Sequence, residues 1–465
     1  MEIAGIPTVL LAREDFMGVV RNAMSGFGFD ADAAMVSFPI DLFMAESDLA
    51  PVEGAGDDFA AGLTDWRPSA TETGLRNAPM VTVPGEDYED ATTQLHNWFQ
   101  TNNWSDGLPI NPPTEKRIGW VLQGTDLERD HIVGKLMPRG GLVTVETAAV
   151  ALAMAGGRPE HLSVLLAAID AILDPALKHA SWQASSGSQF PVVIVNGPIA
   201  KQIRLNSGFG LLGPDPQRPA GLAIGRAIRL LQQNVGGALP GVGTMAIFGP
   251  MRTTNAVFAE DEDNLPDGWQ SFAESRHGFA AGTNAVSVVA CSGAMNIMRR
   301  GTGKETAEEE VEQSLNRVAR YLGQATFHYL AGYTDGTPGV LMMSGALAER
   351  FAELGWDQAR LKQEIWERSR IPKADVAACG LKQWLEMDSN PTVQASGGTD
   401  PWPIAAQPEN LALVIAGGGH PTHNFWFQAN SPAVIGRRVE TPERLNELLE
   451  TAERELGCGA DVCMI

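Results

Sequence analysis

Residues 192–198, Val-Val-Ile-Val-Asn-Gly-Pro, begin with a short apolar run typical of a buried strand and end in a turn signal. A helical pattern follows at residues 222–233. This alternation of strand-like runs and helical patterns recurs along the chain and predicts an α/β fold. Because several runs are almost continuously apolar, we expect strands covered on both faces, in mostly parallel sheets flanked by helices. The other strand-like runs are residues 8–12, 285–291, 339–343 and 411–416.

Residues 196–250, called here the glycine-rich segment, differ in composition from the rest of the chain. They hold eleven glycines and five basic residues against one acidic residue, whereas the whole chain has a net charge of −22. Glycine lets backbone N–H groups approach a ligand closely, and turns built from it can bind anions. The segment is therefore predicted to bind a small anionic molecule, with a series of structural turns as the alternative.

Polar side chains of the glycine-rich segment are the candidates for substrate binding. Amide groups and a guanidinium bind carboxylate or carbonyl groups in fixed geometries. The predicted substrate-binding residues are Asn196, Asn206, Ser207, Gly208, Arg226 and Asn234.

The overall charge and the cysteine content argue against several classes of protein. A net charge of −22 disfavours nucleic acid or an anionic membrane as a partner. No apolar run approaches the ~20 residues needed to cross a bilayer, and no secretion signal is evident, so we predict a cytoplasmic protein. Four cysteines do not make a disulfide framework. The glycine-rich segment lacks a Walker A ending and a strand-linked Gly-x-Gly-x-x-Gly, so no nucleotide cofactor is expected.

The first forty residues predict a partial domain. A strand-like run at residues 5–12, a helical pattern at 14–24 and a second run at 35–40 form a β-α-β unit. Two strands and one helix cannot bury their own faces, so residues 1–46 are predicted to be completed by another chain or sheet.

The remaining chain divides by composition. Residues 47–90 combine proline, glycine and acidic residues with weak periodicity, which predicts a linker or wrapping arm. Residues 91–465 form the main α/β region, as one unit or as two subdomains, 91–300 and 301–465. No internal repeat is evident in the sequence.

The N-terminal unit resembles a known family. Residues 2–9, Glu-Ile-Ala-Gly-Ile-Pro-Thr-Val, with the helix after them and Phe38-Pro39, are similar to the second half of the flavodoxin-like UGSC-type thiol or selenol proteins. In that family a redox motif of Cys or selenocysteine, Gly, Ser and Cys lies upstream of the matching residues, and this chain does not contain it. The resemblance implies a partner subunit that carries the missing half-domain and its Cys-Gly-Ser-Cys-type motif.

The chain from about residue 104 to 440 resembles a largely uncharacterised bacterial family found fused or adjacent to UGSC-type domains. The matching phrases include residues 104–109, Trp-Ser-Asp-Gly-Leu-Pro, residues 195–199, Val-Asn-Gly-Pro-Ile, and residues 234–237, Asn-Val-Gly-Gly. The resemblance implies an architecture and site candidates, and it implies no particular reaction.

Two histidines follow the strand-like run 411–416. Residues 417–423 are Gly-Gly-Gly-His-Pro-Thr-His, on the carboxyl edge where α/β proteins place ligands. His420 and His423 could ligate zinc or iron, with Glu146 as a third ligand, or act as acid and base, and a structural loop is the third reading. Glu260 and Glu262 are further candidate carboxylates, but the run Glu-Asp-Glu-Asp at 260–263 is typical of a solvated loop.

The cysteines offer candidate thiol chemistry. Cys291 ends the run 285–291 and precedes Ser-Gly, so its thiol could face a cleft as a catalytic group, or it is an inert buried residue. Cys458 and Cys463 lie in an acidic tail, where a redox pair or a metal contact with a partner subunit is the functional reading.

We therefore predict a subunit of a hetero-oligomeric enzyme, a lyase or an oxidoreductase, that acts on a small polar or anionic substrate. The resemblance of the N-terminal unit to UGSC-type proteins implies thiol-dependent redox chemistry or carbon–heteroatom bond cleavage or formation. In such a reaction His420 or His423 would move protons. The first alternative is a metal-dependent lyase or hydrolase that uses the two histidines as ligands. The second is a non-catalytic binding or scaffold subunit.

Overall fold

The computed structural model describes residues 6–26, 34–44, 47–66, 80–324, 336–380 and 399–457. None of the helices in these ranges is long and apolar enough to cross a membrane. The helices are α1 (Met17–Gly26), α2 (Ala50–Gly54), α3 (Gly56–Thr64), α4 (Tyr88–Thr101), α5 (Glu115–Val121), α6 (Val145–Met154), α7 (Leu162–Leu173), α8 (His179–Ala184), α9 (Pro198–Gln202), α10 (Ala220–Asn234), α11 (Phe272–His277), α12 (Ala307–Leu322), α13 (Gly345–Glu353), α14 (Gln358–Arg368), α15 (Lys373–Ala378) and α16 (Leu445–Leu456). The strands are β1 (Leu10–Arg13), β2 (Met35–Phe38), β3 (Ile132–Leu136), β4 (Gly141–Thr144), β5 (Phe190–Asn196), β6 (Ala256–Ala259), β7 (Ala285–Met298), β8 (Gly339–Met343), β9 (Arg370–Ile371), β10 (Trp402–Pro403), β11 (Ala412–Ile415) and β12 (His423–Arg438).

Six strands of the described residues form the central sheet, in the order β11-β8-β12-β7-β5-β6. β5 pairs with β6, and β8 with β11, in parallel. The pairs β5 with β7, β7 with β12, and β12 with β8 are antiparallel. The α/β class is confirmed, but the sheet is mixed rather than mostly parallel. Apolar runs indicate burial on both faces and do not indicate strand direction, which explains the error.

The central sheet contains a structural repeat. The first repeat, residues 190–298, consists of β5, helices, the parallel strand β6, and β7, which is antiparallel to β5. The second repeat, residues 339–438, has the same arrangement in β8, β11 and β12. Register supports the equivalence, because Val195 pairs with Ala259 in the first repeat and Met343 with Ile415 in the second. The residues after the two parallel strands correspond as well.

Hydrogen bonds just beyond the strands repeat in the same way. The N–H of Glu260 donates to the carbonyl of Val195 at 3.1 Å, and the N–H of Ala416 donates to the carbonyl of Met343 at 2.9 Å. Glu260 therefore corresponds to Ala416. By the same register, Asn196 corresponds to Ser344, the residue after Met343.

Alternate residues of the strands enter different cores. In β5, Val193 and Val195 face helices α6, α7 and α10, whereas Val192 and Ile194 face the opposite side of the sheet. In the second repeat, Leu341 faces helices α12, α13 and α14. This alternation is the two-residue period expected of strands.

The inner faces of the two repeats share one core. Phe190 and Phe258 of the first repeat pack in the same cluster as Met342 and Val414 of the second. Phe427 of β12 stacks on Phe258 with ring centroids 6.2 Å apart. The sheet therefore folds around this core, and strand ends from both repeats come together.

The N-terminal β-α-β unit is present, with β1 and β2 in a separate parallel two-stranded sheet. Phe59 of α3 stacks on Phe38 of β2 with centroids 6.5 Å apart. Asn22 of α1 donates to the carbonyl of Gly237 at 3.0 Å. The described part of the predicted linker is thus helical in α2 and α3, and it packs on the unit, which in turn contacts the glycine-rich segment.

Candidate functional site

The two repeats meet at the carboxyl ends of their parallel strands. The N–H of Asp261, after β6, donates to the carbonyl of Ile415 at 2.8 Å. The N–H of Gly417, after β11, donates to the carbonyl of Ser207 at 2.8 Å. Loops at the carboxyl ends of strands are where α/β proteins bind ligands, so this junction is the candidate site.

A single carboxylate, that of Glu260, lies at the centre of the junction. Its side chain is buried. Its Oε2 accepts from the Asn196 amide at 2.6 Å and from the Phe272 N–H at 2.6 Å, and its Oε1 accepts from the Ile415 N–H at 3.3 Å. Glu260 is therefore held by donors from both repeats.

Burial raises the pKa of Glu260 to about 7, with a smaller contribution in the same direction from Glu262. The three hydrogen bonds act in the opposite direction without cancelling the effect. A carboxyl group with a pKa near the pH of the cell can both donate and accept a proton there, which is the property of a general acid–base.

Asn196 links two carboxylates. Its Nδ2 donates at 2.6 Å to Oε2 of Glu260 and at 2.6 Å to Oε1 of Glu262. The N–H of Gly197 also donates to Oε1 of Glu262, at 2.8 Å. Gly197 has a φ of 85°, and a Cβ there would lie 2.5 Å from the carbonyl oxygen of Thr283, so this position requires glycine. The sequence Asn-Gly thus fixes both carboxylates at the end of β5.

A cleft of about 970 Å³ opens beside these residues. Its walls are α9, the loops after β5 and β6, and α16. Six carboxylates line it against three basic side chains, so the cleft suits a neutral or positively charged polar molecule better than an anion. The charged lining residues are Glu260, Asp261, Glu262, Asp263, Glu450, Glu453, Lys201, Arg204 and Arg218.

The basic residues of the cleft already have partners. Lys201 Nζ lies 2.8 Å from Asp263, and an Arg218 guanidinium nitrogen lies 3.3 Å from Asp215. Arg204 donates to the carbonyl of Gly457. The cleft therefore does not support the anion site that the composition of the glycine-rich segment predicts.

Asn206, Ser207 and Gly208 lie beside the cleft. Oδ1 of Asn206 accepts from the N–H of Gly208 at 2.8 Å, and its Nδ2 donates to the carbonyl of Phe209 at 2.9 Å. Ser207 lines the cleft wall. The Asn206 side chain shapes this loop.

Arg226 and Asn234, both on α10, hold a different part of the chain. The Arg226 guanidinium donates to both carboxylate oxygens of Asp106, at 2.8 and 2.9 Å. Asn234 Nδ2 donates to the carbonyl of Trp104 at 2.9 Å. These two predicted substrate-binding residues anchor residues 104–109 and line no part of the cleft.

His420 lies on the predicted loop after β11, whereas His423 is the first residue of β12, and their ring centroids are 5.4 Å apart. Oγ1 of Thr422 is 2.7 Å from Nδ1 of His420 and 2.9 Å from Nδ1 of His423. Burial, and then the proximity of His420, lower the pKa of His423. Glu146 Oε1 instead accepts from Arg129 at 2.6 Å. Among the described residues, no three His, Cys, Asp or Glu side chains come together as a metal-binding group.

Cys291 is buried in the shared core and does not face a cleft. β7 does not end there but continues to Met298, so the residue lies within a strand. Burial raises the pKa of its thiol far above the ordinary value, which makes it a poor nucleophile. The predicted catalytic role is not supported. Cys458 and Cys463 lie outside the described residues.

Comparisons with protein-family models, with curated proteins and with solved structures find no match for this chain. The apolar run before Asn196 predicts its place at a strand end, whereas the acidic run at 260–263 predicts a solvated loop and not the burial of Glu260. The signal that could have found it is the apolar run of β6 directly before it.

Proposed function

We propose that this protein is an enzyme, or a catalytic subunit of one, in which Glu260 transfers a proton to or from a small polar substrate bound in the cleft. One observation carries the proposal: Glu260, a residue of the cleft wall at the carboxyl end of β6, has a buried carboxyl group that is held by donors from both repeats.

Asn196 and Glu262 are assigned supporting roles. The Asn196 amide orients the Glu260 carboxylate and stabilises its ionised form, because a hydrogen bond donated to a carboxylate favours the charged state. The negative charge of Glu262 has the opposite effect. Together they keep the pKa of Glu260 close to neutral pH, where the group can act as an acid or as a base.

Proton transfer of this kind fits carbon–heteroatom bond cleavage or formation. Such a reaction requires a base that removes a proton from one atom and an acid that protonates the leaving group. Glu260 supplies one of these groups. The excess of carboxylates in the cleft favours a neutral or cationic polar substrate, such as an amine, over an anionic one.

The thiol-dependent form of this chemistry is the one that the resemblance to UGSC-type proteins implies. Cys458, a candidate thiol for it, lies outside the described residues. Loss of turnover in Cys458→Ser, with Glu260 intact, would favour this form. The described residues offer no corresponding support for the metal-dependent alternative.

The proposal includes a partner subunit. Its support is the N-terminal unit, whose described sheet has two strands and leaves Leu10, Ile40, Phe43 and Met44 exposed. A two-stranded sheet is marginal without further cover. Expressed alone, the chain should self-associate or lose its first 45 residues to limited proteolysis. A monodisperse monomer by light scattering, with a protected N-terminus, would contradict the partner.

Deuterium exchange tests the catalytic proposal without a known substrate. The protein is incubated in D₂O with a panel of small amines, amides and hydroxy acids, and proton NMR follows deuterium entering carbon positions. Wild type should exchange at least one compound, and Glu260→Gln should lose roughly 10²- to 10⁴-fold in rate. Glu128→Gln, at an exposed carboxylate outside the cleft, is the matched control and should keep the wild-type rate.

A titration gives a second, substrate-free readout. Carbon-detected NMR of the side-chain carboxyl groups should show one group titrating near pH 7 in wild type and not in Glu260→Gln. The proposal fails if every wild-type carboxyl titrates below pH ~6, because the pKa of Glu260 would then fall in the ordinary range of glutamate values. It also fails if Glu260→Gln exchanges deuterium as fast as wild type.

A further inference from the structure

Two buried arginines lack an acidic partner among the described residues. Arg229 lies on α10 and Arg252 lies in the loop before β6, and they are 8% and 7% exposed. Arg229 donates to the side-chain oxygen of Gln233 at 3.3 Å and to the carbonyl of Ala238 at 3.2 Å. These acceptors are neutral.

Arg252 has a similar environment. It donates to the carbonyl of Gln189 at 2.8 Å and to the hydroxyl of Thr244 at 2.7 Å. One guanidinium nitrogen of each arginine, Nη1 of Arg229 and Nη2 of Arg252, has no hydrogen-bond partner in the described ranges of the chain. In the part of the chain that the structure describes, neither arginine forms an ion pair with a carboxylate.

The two guanidiniums lie in one region. Arg252 donates to the hydroxyl of Thr244, whose N–H donates at 3.1 Å to the carbonyl of Leu239, the residue after the Ala238 that accepts from Arg229. Burial, and then the charge of Arg229, lower the pKa of Arg252 to about 10, so its guanidinium remains charged at neutral pH. Burial also lowers the pKa of Arg229, but a guanidinium stays charged in proteins. The negative charge of Asp106 opposes the lowering of the pKa of Arg229 by burial. The Asp106 carboxylate itself is bound by Arg226. Buried charges are normally paired, and two neighbouring charges of one sign are costly without a counter-ion.

Helix α8 adds further unsatisfied groups to the same region. Within the part of the chain that the structure describes, His179 Nδ1, Trp182 Nε1 and Gln183 Nε2 are buried without partners. Oε1 of Gln189, just before β5, is a buried acceptor that also lacks one there. His179 Nε2 lies 3.4 Å from the Gln232 amide of α10. The end of α8 lies near Arg252, because the N–H of Met245 donates to the carbonyl of Ala184 at 3.0 Å and Arg252 donates to the neighbouring Thr244. Burial, and then the charge of Arg252, lower the pKa of His179 to about 3. An oxyanion would accept from several of these donors at once.

We propose that Arg229 and Arg252 form a binding site for the phosphate or carboxylate group of a small molecule. The site is separate from the cleft, because Arg252 contacts Gln189 at the amino end of β5, whereas Glu260 lies at its carboxyl end. A seven-residue strand spans about 20 Å. The site therefore does not depend on the proposed catalytic role of Glu260.

This placement revises the anion site predicted from the glycine-rich segment. Lys201, Arg218 and Arg226 of that segment have carboxylate partners, and Arg204 has a carbonyl partner. Arg204 and Arg229 have only neutral acceptors among the described residues, and Arg229 is the buried one of the two. The charge that the composition indicates is thus available at the amino end of the strands rather than in the cleft.

Calorimetric titration of the whole protein with inorganic phosphate and, separately, with malonate tests the site, with sodium chloride at matched ionic strength as the reference. One probe should bind with a stoichiometry near one and raise the melting temperature, since a ligand of the folded state stabilises it. Arg229→Gln and Arg252→Gln should each weaken binding by at least about tenfold, the scale of a hydrogen bond to a charged group. Arg350→Gln, at an exposed arginine paired with Glu353, should bind like wild type.

The outcomes separate the possibilities. Binding of phosphate alone or of malonate alone supports the site and identifies which oxyanion it takes. Binding no stronger than that of chloride by wild type, or wild-type affinity in both glutamine variants, would overturn the proposal. If a glutamine variant does not fold, Arg252→Lys keeps the charge and should still weaken binding, because it loses the planar fork of the guanidinium. Wild-type affinity in Arg252→Lys would then count against the site.

Discussion

The two repeats of the central sheet have the same arrangement of strands but different side chains at equivalent positions. The first repeat ends its parallel strands with Asn196 and Glu260, and the second with Ser344 and Ala416. The second repeat contributes a backbone donor, the N–H of Ile415, to the carboxylate of the first. The second repeat therefore has the same strand arrangement without the buried carboxyl group.

Ala416 shows what the fold itself needs at this position. Ala416 is buried, and an alanine methyl group needs no hydrogen-bond partner. The equivalent Glu260 is a buried carboxyl group whose raised pKa means that ionisation destabilises the folded state. An apolar residue is therefore sufficient for the fold at this position. The presence of a carboxyl group at 260 supports the proposed proton transfer.

The largest effect is expected when a carboxylate is placed in the second repeat. Ala416→Glu buries a charge without the three donors that hold Glu260, and should lower the free energy of unfolding by at least about 3 kcal/mol at pH 8. Urea denaturation measures this. Ala416→Gln is the control for size and polarity, and the gap between the two variants should close at pH 4 to 5, where the new carboxyl is protonated. An equal gap at both pH values would show that the second repeat accepts the charge.

Strand positions could be predicted from the sequence, but strand direction and the site's burial could not. The apolar run before Asn196 located the end of β5, and the run at 411–416 located β11 and the histidine loop. The burial of Glu260 depends on the N–H of Ile415, 155 residues away, and no local pattern contains that contact. An acidic run looks solvated until the tertiary contacts are known.

The basic residues illustrate the same limit. The composition of the glycine-rich segment identified an excess of positive charge, but not which charges were free. Arg226 is bound by Asp106, 120 residues away, whereas Arg229 has no carboxylate partner in the described residues. Charge counts along a sequence cannot distinguish these two cases, because pairing is set by the fold.

The next effect in size is the pH dependence that Glu260 confers on the first repeat. Its pKa rises from 4.5 in the unfolded chain to about 7 in the folded protein. The folded state therefore binds more protons between these values, and the free energy of unfolding falls as the pH rises from about 4.5 to about 7, by roughly 3 kcal/mol. Glu260→Gln should lack this loss.

The comparison of Glu260→Gln with wild type removes opposing contributions. Burial lowers the pKa of His161 to about 4 and of His179 to about 3. The two histidines therefore make the free energy of unfolding decrease as the pH falls below 6.5. They are present in both proteins, and their effect cancels in the difference. Denaturant titrations at pH 5 and pH 8 measure the difference in the free energy of unfolding between Glu260→Gln and wild type. A constant difference between variant and wild type would mean that Glu260 ionises at its ordinary pKa.

The smallest expected effect comes from giving the first repeat the residue of the second. Asn196→Ser removes the amide that donates to both Glu260 and Glu262, and should cost roughly 1.5 to 3 kcal/mol at pH 8, the range for a hydrogen bond to a charged group. The cost should shrink at pH 5, where Glu260 is mostly protonated, and the pKa of Glu260 should rise because a donor that lowers it is gone.

Ser344→Ala provides the contrast, because it removes the 2.6 Å hydrogen bond from the Ser344 hydroxyl to the His420 carbonyl. It should lower the free energy of unfolding by about 1 kcal/mol at every pH, because both partners are neutral. If Asn196→Ser shows the same pH-independent cost, the amide is structural, and the two strand ends differ in sequence without differing in chemistry.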